Sequence, residues 1–94
     1  MAIEVRQTGS GDPMEFEVEV REAGGQTRHR VTMSQATLTK LSGGSAPEAL
    51  IRAAFSFLLD REAKESIMAR FDVTTISRYF PEFEREISDY LAKR

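Results

Sequence analysis

Between residues 14 and 33 apolar and polar positions alternate. Phe16, Val18 and Val20 fall on one side of an extended chain and Glu15, Glu17 and Glu19 on the other. After Gly24-Gly25 the alternation resumes through His29, Val31 and Met33. A period of two is the mark of a strand buried on one face, and the two glycines between the runs predict a two-residue hairpin turn. That turn sets Val20 opposite His29, Val18 opposite Val31, and Phe16 opposite Met33. On the wet face it pairs Glu19 with Arg30 and Glu17 with Thr32, and it leaves Arg21 opposite Arg28, an unfavourable like-charge rung. Upstream, Ile3 and Val5 alternate with Glu4 and Arg6. A third strand is expected there, with Val5 beside Phe16 and Ile3 beside Val18.

Beyond Met33 the period lengthens. Ser34 reads as the N-cap of a short helix carrying Leu38 and Leu41, with Gly43 as its stop. Ser45, Pro47 and Glu48 predict the start of the main helix, Ser45 and Glu48 forming a capping box. That helix is apolar nearly all round, with Glu48, Arg52 and Ser56 as a narrow polar stripe. Such a helix must be covered on more than one side, so it is placed between the sheet and the C-terminal helices. Ile67, Met68 and Phe71 predict a helix over 64–70. Asp72 caps another over 73–79, which Pro81 ends, and Phe83, Ile87, Tyr90 and Leu91 stripe a last one over 81–92. The expected order is strands at about 2–7, 14–22 and 26–33, then helices at about 35–41, 47–61, 64–70, 73–79 and 81–92. The fold class is α+β: a small antiparallel meander of three strands, or two if the first frays, packed on a bundle of three to five helices.

With 94 residues, 40% of them hydrophobic, the chain reads as one domain, 1–94, with a real core. Net charge is −2, from 13 basic and 15 acidic residues spread evenly along the sequence. No basic arm exists, so composition disfavours nucleic acid as a partner. The absence of cysteine removes disulfides, thiolate nucleophiles and cysteine-ligated metals, and agrees with a reducing compartment. The first residues lack a signal-peptide pattern, and the run Ala49 to Leu59 is interrupted by Arg52 and too short to span a bilayer. The expected setting is the cytoplasm, with no membrane partner.

Candidate chemistry is sparse. His29 is the only histidine, so it cannot build a metal site without carboxylates, and it is expected to cover the end of the sheet. The glycines before Pro47 resemble a phosphate-binding loop, but Pro47 removes an N–H, Glu48 adds negative charge, and no Lys follows. Glu82, Glu84, Glu86 and Asp89 lie on an exposed helix near Arg78 and Arg85, which gives them no catalytic environment. No catalytic, cofactor-binding or metal-ligating residue is assigned, and no cofactor is expected.

Two stretches invite interaction readings. Residues 67–80, "IMARFDVTTISRYF", carry Ala69, Val73, Thr74, Ile76, Ser77 and Arg78 at places that resemble the helix-turn-helix of lac-repressor-type DNA-binding proteins. The resemblance implies DNA contacts by Thr74, Thr75, Ser77 and Arg78. It departs from the family in having Phe71-Asp72 where the turn usually holds Gly, and in the early stop at Pro81. The second stretch is the aromatic cluster Tyr79, Phe80, Phe83 and Tyr90. It reads either as closure of the core or as an anchor patch for another protein or a second copy. The expected function is a small non-enzymatic protein-binding or assembly module; the alternative is a DNA-binding accessory protein using residues 66–80.

Overall fold

The computed structural model describes residues 2–92. Strands β1 (Ala2–Gly9), β2 (Met14–Glu22) and β3 (Gly25–Met33) form the antiparallel meander. Helices α1 (Gln35–Leu41) and α2 (Pro47–Leu59) then lead through one 3-10 turn, Lys64–Ser66, to a short strand β4 (Arg70–Asp72). Helices α3 (Val73–Tyr79) and α4 (Phe83–Ala92) complete the fold. The sheet runs β1-β2-β3-β4, with β4 parallel to β3. A parallel neighbour requires a crossover, which α1 and α2 supply.

The fourth strand corrects the expected sequence of elements. Residues 64–70 do not form a helix; they make the 3-10 turn, an extended stretch and the start of β4. The main helix stops at Leu59 and the last begins at Phe83, each two residues inside the expected span.

The meander's register is also corrected. The turn is Ala23-Gly24, with φ of 55° and 80°, and Gly25 already belongs to β3. Val18 therefore faces His29, Phe16 faces Val31 and Met14 faces Met33. The shift of two residues keeps every side chain on its face, so the hydrophobic pattern cannot distinguish the two registers. Charge can. In the observed register Glu19 faces Arg28 and Glu17 faces Arg30, while Arg21 faces Gln26. The like-charge rung is gone, at the cost of about 1 kcal/mol for Ala23 in the left-handed region. The β1–β2 ladder is displaced in the same way, with Val5 opposite Val18 and Ile3 opposite Val20.

Helix α2 joins the sheet to α4. Phe55 and Phe57 point about 200° apart around it. Phe55 meets His29 and Phe71 on the sheet side, at ring separations of 5.3 and 5.9 Å. Phe57 meets Phe80, Phe83 and Tyr90 on the other side, at 5.9, 5.0 and 5.6 Å. Phe16, Val18, Val20, Phe55 and Phe57 are all fully buried, so the apolar face of the meander does rest on the Leu/Phe-rich helix.

Caps follow local chemistry with one exception. Ser34 accepts from Thr37 N–H, and Asp72 accepts from Thr74 N–H. The expected Ser45–Glu48 box is absent: Ala46 is the N-cap of α2 and has no side-chain acceptor. Glu48 instead reaches across to β1, where its Oε2 accepts from Gln7 N–H at 3.2 Å.

Candidate functional site: an apolar groove beside the fourth strand

The segment after α2 is shaped by what β3 needs. His29 is buried and must find partners for both ring nitrogens. Nδ1 lies 2.8 Å from Met68 O and Nε2 lies 2.9 Å from Thr27 Oγ1. A carbonyl can only accept, so Nδ1 carries the proton; in the neutral ring Nε2 accepts from the threonine hydroxyl. One residue on, Arg30 N–H donates to Ala69 O at 2.7 Å, and the Thr32 hydroxyl donates to Asp72 Oδ1 at 2.6 Å. Arg, Ala, Lys and Glu in 61–70 tolerate helix by propensity. A helix would have left the outer side of β3 and the His29 Nδ1–H without these partners, and those long-range bonds prevail.

Drawn out along β3, this segment stands away from α3 and leaves a groove of about 310 Å³ between them. Leu58, Ile67 and Ile76 form its buried floor, and Phe71 and Phe80 its half-buried walls. Met68 and Tyr79 lie on its rim, 42% and 68% exposed, the two most exposed large apolar side chains among the described residues. Three polar residues, Glu62, Ser66 and Thr75, complete the lining. Among the described residues Glu62 has no counter-charge, and neither hydroxyl is bonded to a base.

The aromatic cluster expected from sequence is divided. Tyr79 and Phe80 line the groove. Phe83 is 0% exposed, a core residue that cannot touch a partner; here the core-closing reading applies. Tyr90 is not part of the groove lining; its ring packs on Phe57 and its hydroxyl donates to Asp60 Oδ2 at 2.6 Å. That bond raises the Tyr90 phenol above its ordinary range, against the opposing pull of Arg61.

Arg61 sits at the same junction. Its guanidinium lies 3.6 Å over the Phe57 ring and donates to Phe57 O, Glu82, Glu86 and the Tyr90 hydroxyl. Burial alone would lower its pKa; the bonds to Tyr90, Glu82 and Glu86 more than offset this and keep it charged. Glu82 and Glu86 are thus one half of a clamp between the end of α2 and α4. Glu84 is held by Lys40 at 3.0 Å.

The helix-turn-helix geometry is not formed. Its first helix would occupy residues that run as a 3-10 turn and strand, and α3 has only seven residues. The four residues assigned to DNA contact also diverge. Thr74 is bound to the capping Asp72 and Thr75 faces the groove. Ser77 donates to Glu84 at 3.4 Å, and Arg78 is exposed.

Met68, Ile67, Leu58 and Glu62 are groove residues that the sequence does not mark out. Their juxtaposition depends on a chain path set by His29 and Arg30. No group of three or more His, Cys, Asp or Glu placed to hold a metal occurs among the described residues, and no helix there is long and apolar enough to cross a membrane. Comparison with protein-family models, curated proteins and solved structures gave no match.

Proposed function

We propose that the protein is a non-enzymatic protein-binding module whose groove takes an apolar peptide segment carrying one basic residue. The observation that carries this reading is the convergence of Met68 and Tyr79 on one concave apolar surface. Adjacent exposed apolar side chains around a cleft favour a partner, because water is released when they are covered. Met adapts to varied shapes and Tyr anchors interfaces. Glu62, the one carboxylate of the lining, supplies the complement for a Lys or Arg. A hydrolytic role has less support, since the only imidazole is occupied at both nitrogens.

The test is selection of random peptides on the immobilised full chain, followed by anisotropy titration of the winners. Expected are sequences with a bulky apolar residue near Lys or Arg. Tyr79→Ala is expected to weaken them about tenfold, and Glu62→Lys to weaken the basic ones selectively. Peptides that bind all variants equally would overturn the reading.

A further inference from the structure

We propose that β1 is the docking edge for a second copy of this chain, the two β1 strands pairing antiparallel about a two-fold axis at Val5. This rests on the opposite edge of the sheet from the groove and does not depend on it.

The direction of each backbone group in β1 follows from two contacts. Gln7 N–H leaves the sheet for Glu48 Oε2. At the far edge Arg30 N–H leaves β3 for Ala69 O, so the even-numbered residues of β3 face away from β2. Carried through the two registers, that alternation bonds Glu4 and Arg6 to β2 and turns Ile3, Val5 and Gln7 outward. Both contacts give the same answer. Among the described residues no strand lies beyond β1.

Outward groups can bond only outward groups, so odd positions must meet odd positions. A register centred on Glu4 stacks Glu4 on Glu4. One centred on Arg6 stacks Arg6 on Arg6. Centred on Val5, the pairing sets Glu4 opposite the second copy's Arg6, and Arg6 opposite the second copy's Glu4. Of these three registers, only the Val5-centred one places opposite charges on both rungs. It also answers an imbalance inside the chain. Glu4 lies opposite Glu19, with Arg21 reaching both at 3.2 and 2.7 Å. The incoming Arg6 flanks Glu4 on its open side.

The apolar face agrees. Ile3 and Val5 are half-buried, whereas Val20 and Val18 opposite them are 0% exposed. A neighbouring strand covers the remainder. The contact is self-complementary, as a two-fold interface must be, and supplies about six backbone hydrogen bonds. Those at Gln7 replace its bond to Glu48, so the Glu48 carboxylate is a plug that competes with assembly, a charged guard of the kind found on sheet edges.

Sedimentation equilibrium on the full chain tests this. The expected mass rises toward twice that of the chain with concentration, and a strict monomer up to about 1 mM, the weak limit of measurable affinity, overturns the proposal. Val5→Pro removes an N–H that no bond among the described residues uses, so it is expected to keep the fold and lower the association constant at least about tenfold. Glu48→Ala is expected to tighten the dimer. Glu4→Lys makes positions 4 and 6 both positive, and Arg6→Glu makes both negative. Each alone should be monomeric, while an equimolar mixture should form a heterodimer. A dimer that survives Val5→Pro, or charge variants that associate no better mixed than alone, overturns the Val5-centred pairing. Should Val5→Pro fail to fold by circular dichroism, the charge-variant mixture decides.

Discussion

At one edge of the sheet β1 runs for eight residues, and among the described residues no strand covers its outer side, where Glu48 meets Gln7. At the other edge β4 is three residues long, and the chain around it is tied to β3 at His29, Arg30 and Thr32. An exposed strand edge invites unwanted pairing, and proteins restrain it by shortening, covering or charging it. The β4 edge is shortened and stitched down by long-range hydrogen bonds; the β1 edge is left long and charged. A substitution at the β4 edge should therefore act on folding, and one at the β1 edge mainly on what the surface meets.

The largest break in that contrast is expected from His29→Ala. It removes a buried ring packed on Phe55 and leaves Met68 O without its donor, a cost of about 3 kcal/mol. Urea denaturation reads the loss, and hydrogen exchange at Arg30 N–H should speed up with it. Asp72→Ala removes the cap of α3 and the bond from Thr32, and should cost about 1–2 kcal/mol by the same measurement.

Asp72 also gives a pH arm. Burial pushes its carboxyl up, but the hydroxyls of Thr32 and Thr74 and the Thr74 N–H more than compensate, holding it below its ordinary range. A folded-state pKa below the unfolded value, about 3.9, contributes stability that is complete above that value. The contribution fades as pH falls through the folded pKa. Denaturation midpoints followed from about pH 5 to pH 2 should fall less steeply for Asp72→Asn than for the unaltered chain.

Smaller effects sharpen the comparison. Ala23→Asn places a residue tolerant of positive φ before Gly24 and should stabilise the hairpin by about 0.5–1 kcal/mol. A loss of stability would show that the turn is not of the kind described. Arg6→Ala, on the β1 edge, breaks the 2.6 Å ion pair with Glu17, in which the arginine side chain is 71% exposed. Solvent screens such a pair, so the thermal midpoint of the monomer should not move measurably.

Much of the architecture is legible along the chain. Alternation through Phe16, Val18 and Val20 marked the buried face, and the apolar circumference of Leu50 to Leu59 required cover on two sides. Ser34, Asp72 and Pro81 marked helix ends that the structure keeps, because capping and proline sterics act within a few residues. The register was less legible, since a shift of two leaves each face intact; only the Arg21–Arg28 clash hinted at the alternative. Residues 64–70 misled because their composition suits a helix. Of the aromatic cluster, Tyr79 and Phe80 reached the groove, whereas Phe83, on the stripe with Ile87 and Leu91, faced inward.

The order of residues by itself determined which side chains seek water and the helix ends marked by Ser34, Asp72 and Pro81, because both depend on neighbours a few positions away. The tertiary structure alone decided that β3 takes a fourth strand, that His29 is spent on Met68 O, and that Met68 and Tyr79 share a groove. Those outcomes follow from satisfying the buried His29 and the part-buried polar groups beside it, through bonds between residues some forty positions apart, a requirement that arises only once the meander has folded over α2.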